Sequence, residues 1–318
     1  MARVTPHLAW IGRRLLLGLG QTAAVVLFVF ALTEALPGDA AVALAGDQPD
    51  PDRIARIRAT MGLDRPAVER LADWASGLPH GDLGTSLVSG RPVTGHLTGG
   101  LGSTLLLTVT TVALLVPLSL GLGVLAARRE GGPLDRTVSA VTLAVHAVPE
   151  FAVGVLLATL FGLWLGWLPP TAVGTDASTE PAVLVLPVVV LLSRPVCTIS
   201  RLVRAGMIDV LASPYVAHAR RYGISPTRIT WTHALPNALA PATQQLARTC
   251  DWLLGGVIVV EALFVIPGLG TVLLDAVAAR DVPVVQGAAV LFGTVTVLVN
   301  LAADLAARRF APRSEAAA

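Results

Sequence analysis

The chain has 318 residues, of which 14% are charged and 54% hydrophobic, and its mean hydropathy is +0.71. Soluble domains carry about 25% charge, so this composition is that of a membrane protein. None of the 23 basic residues is a lysine. That excludes a P-loop, which needs Lys on the nucleotide phosphates, and it excludes Schiff-base chemistry; any ATP used must be hydrolysed on another chain. The net charge of +2 points neither towards nor away from nucleic acid. Cys197 and Cys250, both in apolar stretches, read as packing thiols, too few for a disulfide framework or a zinc site.

A helix needs about 20 mostly apolar residues to cross the hydrocarbon layer, and six stretches qualify. They are Trp10–Leu36, Ser103–Ala127, Val138–Leu168, Val183–Leu202, Ala238–Ile266 and Val284–Ala307. Uninterrupted α-helix is expected for each, because lipid offers the backbone no other partner. The first follows Arg13 and Arg14 as a signal peptide would, but its apolar core, Leu15–Leu32, exceeds the usual h-region of about 7–15 residues, so it reads as an uncleaved anchor. Pro117, Pro149 and Pro187 are expected to kink their spans and open axial space.

Residues 37–98 break the apolar pattern. Asp52–Met61 and Arg65–Ser76 read as amphipathic helices, the second with Leu71 and Trp74 on one face; Gly81, Gly84, Gly90 and Pro92 then make a turn-rich connection. Arg53, Arg56, Arg58, Arg65, Arg70 and Arg91 are balanced here by acids from Asp39 to Asp82, and a segment this long escapes the positive-inside rule. It reads as a small extracytoplasmic lobe. Elsewhere the arginines are one-sided. Arg3, Arg13 and Arg14 precede the first span, Arg128, Arg129 and Arg136 lie between the second and third, and Arg308, Arg309 and Arg313 follow the last. Arg201, Arg204, Arg220, Arg221 and Arg228 lie between the fourth and fifth. Both termini and that last loop are therefore expected in the cytoplasm.

The most informative stretch is that loop. Tyr215–Tyr222 favours a helix that Gly223 can stop with a left-handed cap. Ser225–Pro226 then opens a second helix, Ser as N-cap and Pro at the first helical position, and Leu235–Pro236 leads into the fifth span. Small Ala217 and Ala219 permit close approach of a partner, and Arg220, Arg221 and Arg228 add charge that an acidic groove could receive.

The pattern Ala217-x-Ala219-x-x-x-Gly223, followed after nine residues by the position before x-Leu235-Pro236, resembles the "EAA" coupling loop of ABC-importer permeases. Ala217 stands where that family has Glu, His218 for its middle Ala and His233 for its Ile. The resemblance covers nearly the whole chain. Pro37–Ala40, Met61–Asp64, Gly81–Ser86, Gly90–Val93, Leu165–Pro170, Glu261–Phe264, Ile266–Gly270, Arg280–Pro283, Asn300 and Asp304 are similar in order and spacing to the dipeptide, oligopeptide and nickel permeases, and the long segment after the first span to the first of their two permease subunits.

The resemblance implies an all-α membrane protein with the six-helix type I importer fold: an N-terminal helix 1–36, an extracytoplasmic lobe 37–98, a transmembrane domain 99–310 with coupling loop 211–236, and a tail 311–318. It implies a multi-pass protein of the bacterial inner membrane, a second permease subunit, two ABC ATPases that hold ATP and Mg, and an extracytoplasmic binding protein. Di- or oligopeptides are the expected cargo, nickel or a nickel chelate the nearest alternative. No cofactor or nucleic acid is expected on this chain.

Glu150, Arg194, Arg248, Asp251 and Glu261 fall in the spans, where a charge costs about 2.5–3.5 kcal/mol on insertion scales, so they should face a cavity or a partner. Arg248 and Asp251, three apart, share a helical face; two readings stand, an ion pair within the bundle or a place on the translocation path. Asp304 is expected to pair with Arg308. His80 and His96 are too isolated for a metal site, and no nucleophile–base pair or phosphate cradle is present, which disfavours an intramembrane enzyme. A stand-alone secondary transporter would often show two similar halves, and no internal repeat is seen.

Overall fold

The structure, a computed structural model, describes residues 5–35, 38, 40–45, 50–175 and 180–310. Within these ranges it leaves out the side chains of residues 5–9, 240, 247, 251, 254, 303, 304 and 306–310. Among the described residues every regular element is helical. In chain order the helices are α1 (Thr5–Ala35), α2 (Ala40–Ala45), α3 (Pro51–Thr60), α4 (Ala67–Gly77), α5 (Val93–Arg128), α6 (Pro133–Ala147) and α7 (Glu150–Leu157). There follow α8 (Val185–Leu211), α9 (Pro214–Arg221), α10 (Pro226–Arg228), α11 (Leu235–Ala238), α12 (Ala240–Phe264), α13 (Leu269–Ala278) and α14 (Val282–Phe310).

Among the described residues four segments are long and apolar enough to cross a membrane: Trp10–Ala35, Val93–Arg128, Pro181–Leu211 and Val282–Ala302. Two broken pairs, Pro133–Ala147 with Glu150–Trp164 and Gly255–Phe264 with Leu269–Ala278, bring the number to as many as six.

The third stretch is thus not the uninterrupted helix expected of it. It bends by 101° where Val148 adopts φ −87°, ψ 132°. The ring of Pro149 clashes with a helical predecessor, so Val148 is driven to extended backbone and α7 starts afresh. Beyond α7 the chain widens into a π turn, Ala158–Trp164. Pro117 is accommodated inside α5, and Pro187 lies in the first turn of α8, where its missing N–H forfeits no bond; neither breaks its helix.

The chain divides into two compact units, Met1–Thr104 with Pro267–Leu301, and Leu105–Ile266 with Ala302–Ala318. The first has a core of Val93, Leu97, Leu269, Val284 and Ala288. In it α3 begins at Asp50, whose carboxylate accepts from the Asp52 amide at 3.1 Å. Trp74 of α4 donates its indole N–H to the Leu83 carbonyl at 2.9 Å, and Arg70 grips Glu34 at 2.6 Å. The buried carboxylate of Asp281 accepts from the Ser86 hydroxyl and, at 3.0 Å, from the Leu87 amide. Two motifs nearly two hundred residues apart, Gly81–Ser86 and Arg280–Pro283, are thereby clasped together. Pro37 and Asp39 of the Pro37–Ala40 motif lie outside the described residues.

The second unit is built around α8, which packs on α6, α7 and α12. Val190, Leu191 and Val203 of α8 are wholly buried with Leu107 and Leu115 of α5 and Phe264 of α12. At the end of α8 nearest the loop, a Cβ on Gly206 would lie 2.7 Å from the Ala238 carbonyl oxygen, so only glycine lets α11 approach there. Near the start of α6, Arg204 holds Asp135 through two bonds, the second 2.7 Å long, and the Gly131 amide donates to the same carboxylate at 2.9 Å. The pair is buried on the Asp135 side and satisfies that carboxylate fully within the chain.

Asp281→Ala strands a buried hydroxyl and a half-buried amide and should cost about 1–3 kcal/mol of stability, read from thermal unfolding in detergent; an unchanged midpoint would show the clasp to be idle.

Candidate functional site: a helix–turn–helix and an arginine-lined cavity

The loop after α8 is held by local chemistry. Ser213 is extended at φ −70°, ψ 152°, and Pro214 takes the first helical position of α9. At the far end Gly223 stands at φ +76°; its amide bonds to the Arg220 carbonyl at 3.0 Å and the Ile224 amide to Ala219 at 3.2 Å. This is the Schellman arrangement, and it requires a residue that tolerates the left-handed region. Ser225 caps α10, its hydroxyl accepting from the Arg228 amide at 3.4 Å. A π turn, Ile229–Ala234, leads into α11, which carries Leu235 and Pro236.

Val216, Ile229, Ala234 and Leu235 bury the inner side of this motif, whereas Tyr215, Ala217, Arg220, Arg221, Gly223 and Pro236 are exposed and Ala219 is half-buried. Asn237 ties the two arms. Its amide donates to the Tyr215 hydroxyl at 3.1 Å and to the His233 carbonyl at 2.8 Å, and the Tyr215 hydroxyl donates to that carbonyl at 3.3 Å. A Cβ on Gly223 would meet nothing within 4 Å. Within the chain, backbone conformation alone demands glycine there.

The intramembrane charges separate. Arg248 and Arg194 line a common cavity of about 220 Å³, and Arg248 donates to Gln245 at 3.3 Å. Its expected partner Asp251 has a side chain outside the described residues, as do Asp304 and Arg308. Glu150, in the first turn of α7, is half-buried within electrostatic reach of Arg194 and keeps one buried oxygen unpartnered. Glu261 is wholly buried in the core of the second unit, and neither arginine-lined cavity includes it.

Sequence reasoning missed His146, Thr198, Arg201, Gln244 and Gln245, which line an adjoining cavity of about 740 Å³ with Arg248. The available signal was helical spacing: Arg194, Thr198 and Arg201 recur at i, i+4 and i+7, as do Pro241, Gln245 and Arg248. Among the described residues no group of three or more His, Cys, Asp or Glu could hold a metal ion.

Residues 119–315 match the family described as the binding-protein-dependent transport system inner membrane component, and residues 8–105 match the N-terminal membrane component of such systems. A probable peptide ABC transporter permease, y4tP of Sinorhizobium fredii, is 34% identical over 307 residues, 96% of this chain and 98% of that protein. The glutathione transport system permease GsiC of Escherichia coli K12 is 36% identical over 291 residues, covering 91% and 94%. Among solved structures, a chain of the MetNI methionine ABC transporter in an inward-facing form superposes with a TM-score of 0.53 at 21% identity, covering 68% of this chain and 96% of that one; this likeness is one of fold.

Because the Tyr215–Asn237–His233 cluster ties the arms, Asn237→Ala should loosen the turn by about 0.5–1.5 kcal/mol. Trypsin would then cut at Arg220 and Arg221 several-fold faster in the native protein. Unchanged cleavage would mean that the buried apolar side alone holds the motif.

Proposed function

Because the chain belongs to the family of binding-protein-dependent transport system inner membrane components, and is an ABC transporter permease of the multi-pass inner-membrane kind, we propose that it is a peptide-importing subunit. In this reading it is the first of two paired permeases, it crosses the membrane six times, and both termini face the cytoplasm. ATP and Mg belong to two partner ATPases, and an extracytoplasmic protein delivers the cargo. The names of the peptide and glutathione relatives support the peptide assignment.

One observation carries the coupling role: α9 projects small Ala217 and Ala219 beside Arg220 and Arg221, on a turn braced by the Schellman bonds of Gly223 and the Tyr215–Asn237 tie. A rigid, small-faced, cationic knob of this kind suits an acidic groove on a cytoplasmic ATPase. Closure of the ATPases would move Tyr215–Pro236, and α8, continuous from Val185 to Leu211, would carry that motion into the bundle. The chain supplies no catalytic group of its own; the ATP chemistry is felt here mechanically.

Ala217 provides the test, since it is exposed on a regular helix and a larger residue there strains nothing within the chain. In the complete transporter, Ala217→Trp should lower cargo-stimulated ATP hydrolysis and uptake by about tenfold or more, as a bulky side chain does in a close-packed interface. Uptake at the wild-type rate with the ATPases still bound would show that the coupling contact lies elsewhere.

A further inference from the structure

Three helices of the second unit turn polar side chains to one place. From α6 come Ser139 and His146, from α8 Thr198 and Arg201, and from α12 Gln245 and Arg248, around the cavity of about 740 Å³. The smaller cavity of about 220 Å³ shares His146, Thr198, Gln245 and Arg248 with it and adds Arg194. Their combined size suits a short peptide, given that small-ligand sites enclose roughly 300–1,000 Å³.

The charge of this space is one-sided. Arg194, Arg201, Arg204 and Arg248 line it, and among the described residues neither lining contains an Asp or Glu. Asp135 sits behind Arg204 and is occupied by it, and Glu150 lies within reach of Arg194. His146 keeps a buried Nδ1 without a hydrogen-bond partner, the kind of atom that a ligand entering the cavity can satisfy. Guanidinium groups offer paired N–H donors shaped for carboxylate, and a cleft of one sign with low-dielectric walls concentrates counter-charge. A peptide of zero net charge would gain at its carboxylate and lose at its ammonium, since among the described residues the two linings offer no carboxylate to receive it.

We propose that this cavity is a passage selective for anionic cargo, namely short peptides carrying a surplus of carboxylates. The proposal rests on the peptide reading above and adds the charge class. Two measurements on the complete transporter in vesicles test it. The first needs no peptide: with Cys197→Ser and Cys250→Ser as background, Thr198→Cys is labelled with a sulfonate-bearing and a trimethylammonium-bearing methanethiosulfonate. The anionic reagent should be favoured by about tenfold over its preference for a free thiol; a ratio equal to that of the free thiol overturns the proposal.

The second compares uptake of Ala-Glu-Glu-Ala with that of Ala-Ala-Ala-Ala. In Arg194→Gln/Arg248→Gln the acidic-to-neutral ratio should fall by about tenfold from wild type, while Arg53→Gln, an exposed arginine outside both cavities, leaves it unchanged. An unmoved ratio in the double variant, or an equal fall in Arg53→Gln, overturns the proposal. So does an effect seen only when the vesicles contain anionic lipid, because the arginines would then serve headgroups. A transporter that carries neither peptide sinks the peptide reading instead, and the reagent ratio still decides the charge of the passage.

Discussion

The second unit depends on the two-sidedness of α8. A helix in lipid satisfies its backbone internally, so its side chains alone decide what it faces. On α8 they decide in opposite ways around one cylinder. Leu186, Val190, Leu191, Ile199 and Val203 are buried in the core, while Arg194, Thr198 and Arg201 open on the cavity. An intramembrane arginine is tolerable only where it meets a cavity or a partner, so the polar stripe needs the cavity as much as the cavity needs the stripe. Pro195, buried within the helix, removes one rung of the backbone ladder beside Arg194. The same rod then ends at Ser213, where α9 begins. The cavity lining and the exposed turn thus share one element, with Gly206 permitting the contact between α8 and α11 at Ala238.

Much of this was legible in the sequence because it is local. The turn at 215–226 could be read since each part is specified by its neighbours: Gly where φ is positive, then Ser ahead of Pro at a first helical position; the start of α9 at Pro214 was not read. The helices at Pro51–Thr60 and Ala67–Gly77 follow the amphipathic pattern of the segment after α1 within a few residues. Pro149 was legible as a perturbation of its span, but its size was not. A proline inside a continuous helix and one that ends a helix look alike in composition, and the difference lay in whether Val148 could stay helical.

What could not be read is long-range. Nothing in Ser86 announces Asp281, because hydroxyl and carboxylate are common types and 195 residues separate them; only the fold selects this pair. Nor could the cavity be seen, because its walls come from three helices and each contributes only two or three polar residues to an otherwise apolar sequence. Read singly, Gln244, Gln245 and Thr198 are ordinary. Glu261 shows the same limit: a charge within a span was expected to face a cavity or a partner, and the sequence did not announce that it would be wholly buried in the core that holds Phe264 and Ile266.

The absence of lysine takes on a meaning here that composition could not give it. A lysine drawn into a low-dielectric cavity lowers its pKa and can shed its charge, whereas a guanidinium stays protonated under any such burden and is the more weakly hydrated of the two. In the passage proposed above, Arg194, Arg201 and Arg248 would be standing donors for a carboxylate, and among the described residues neither cavity lining holds an Asp or Glu. The geometry of the fork matters as well, since it rewards a carboxylate over a spherical anion of equal charge. If the cavity is the passage proposed above, the carboxylates that its arginines are shaped to grip would be those of the cargo.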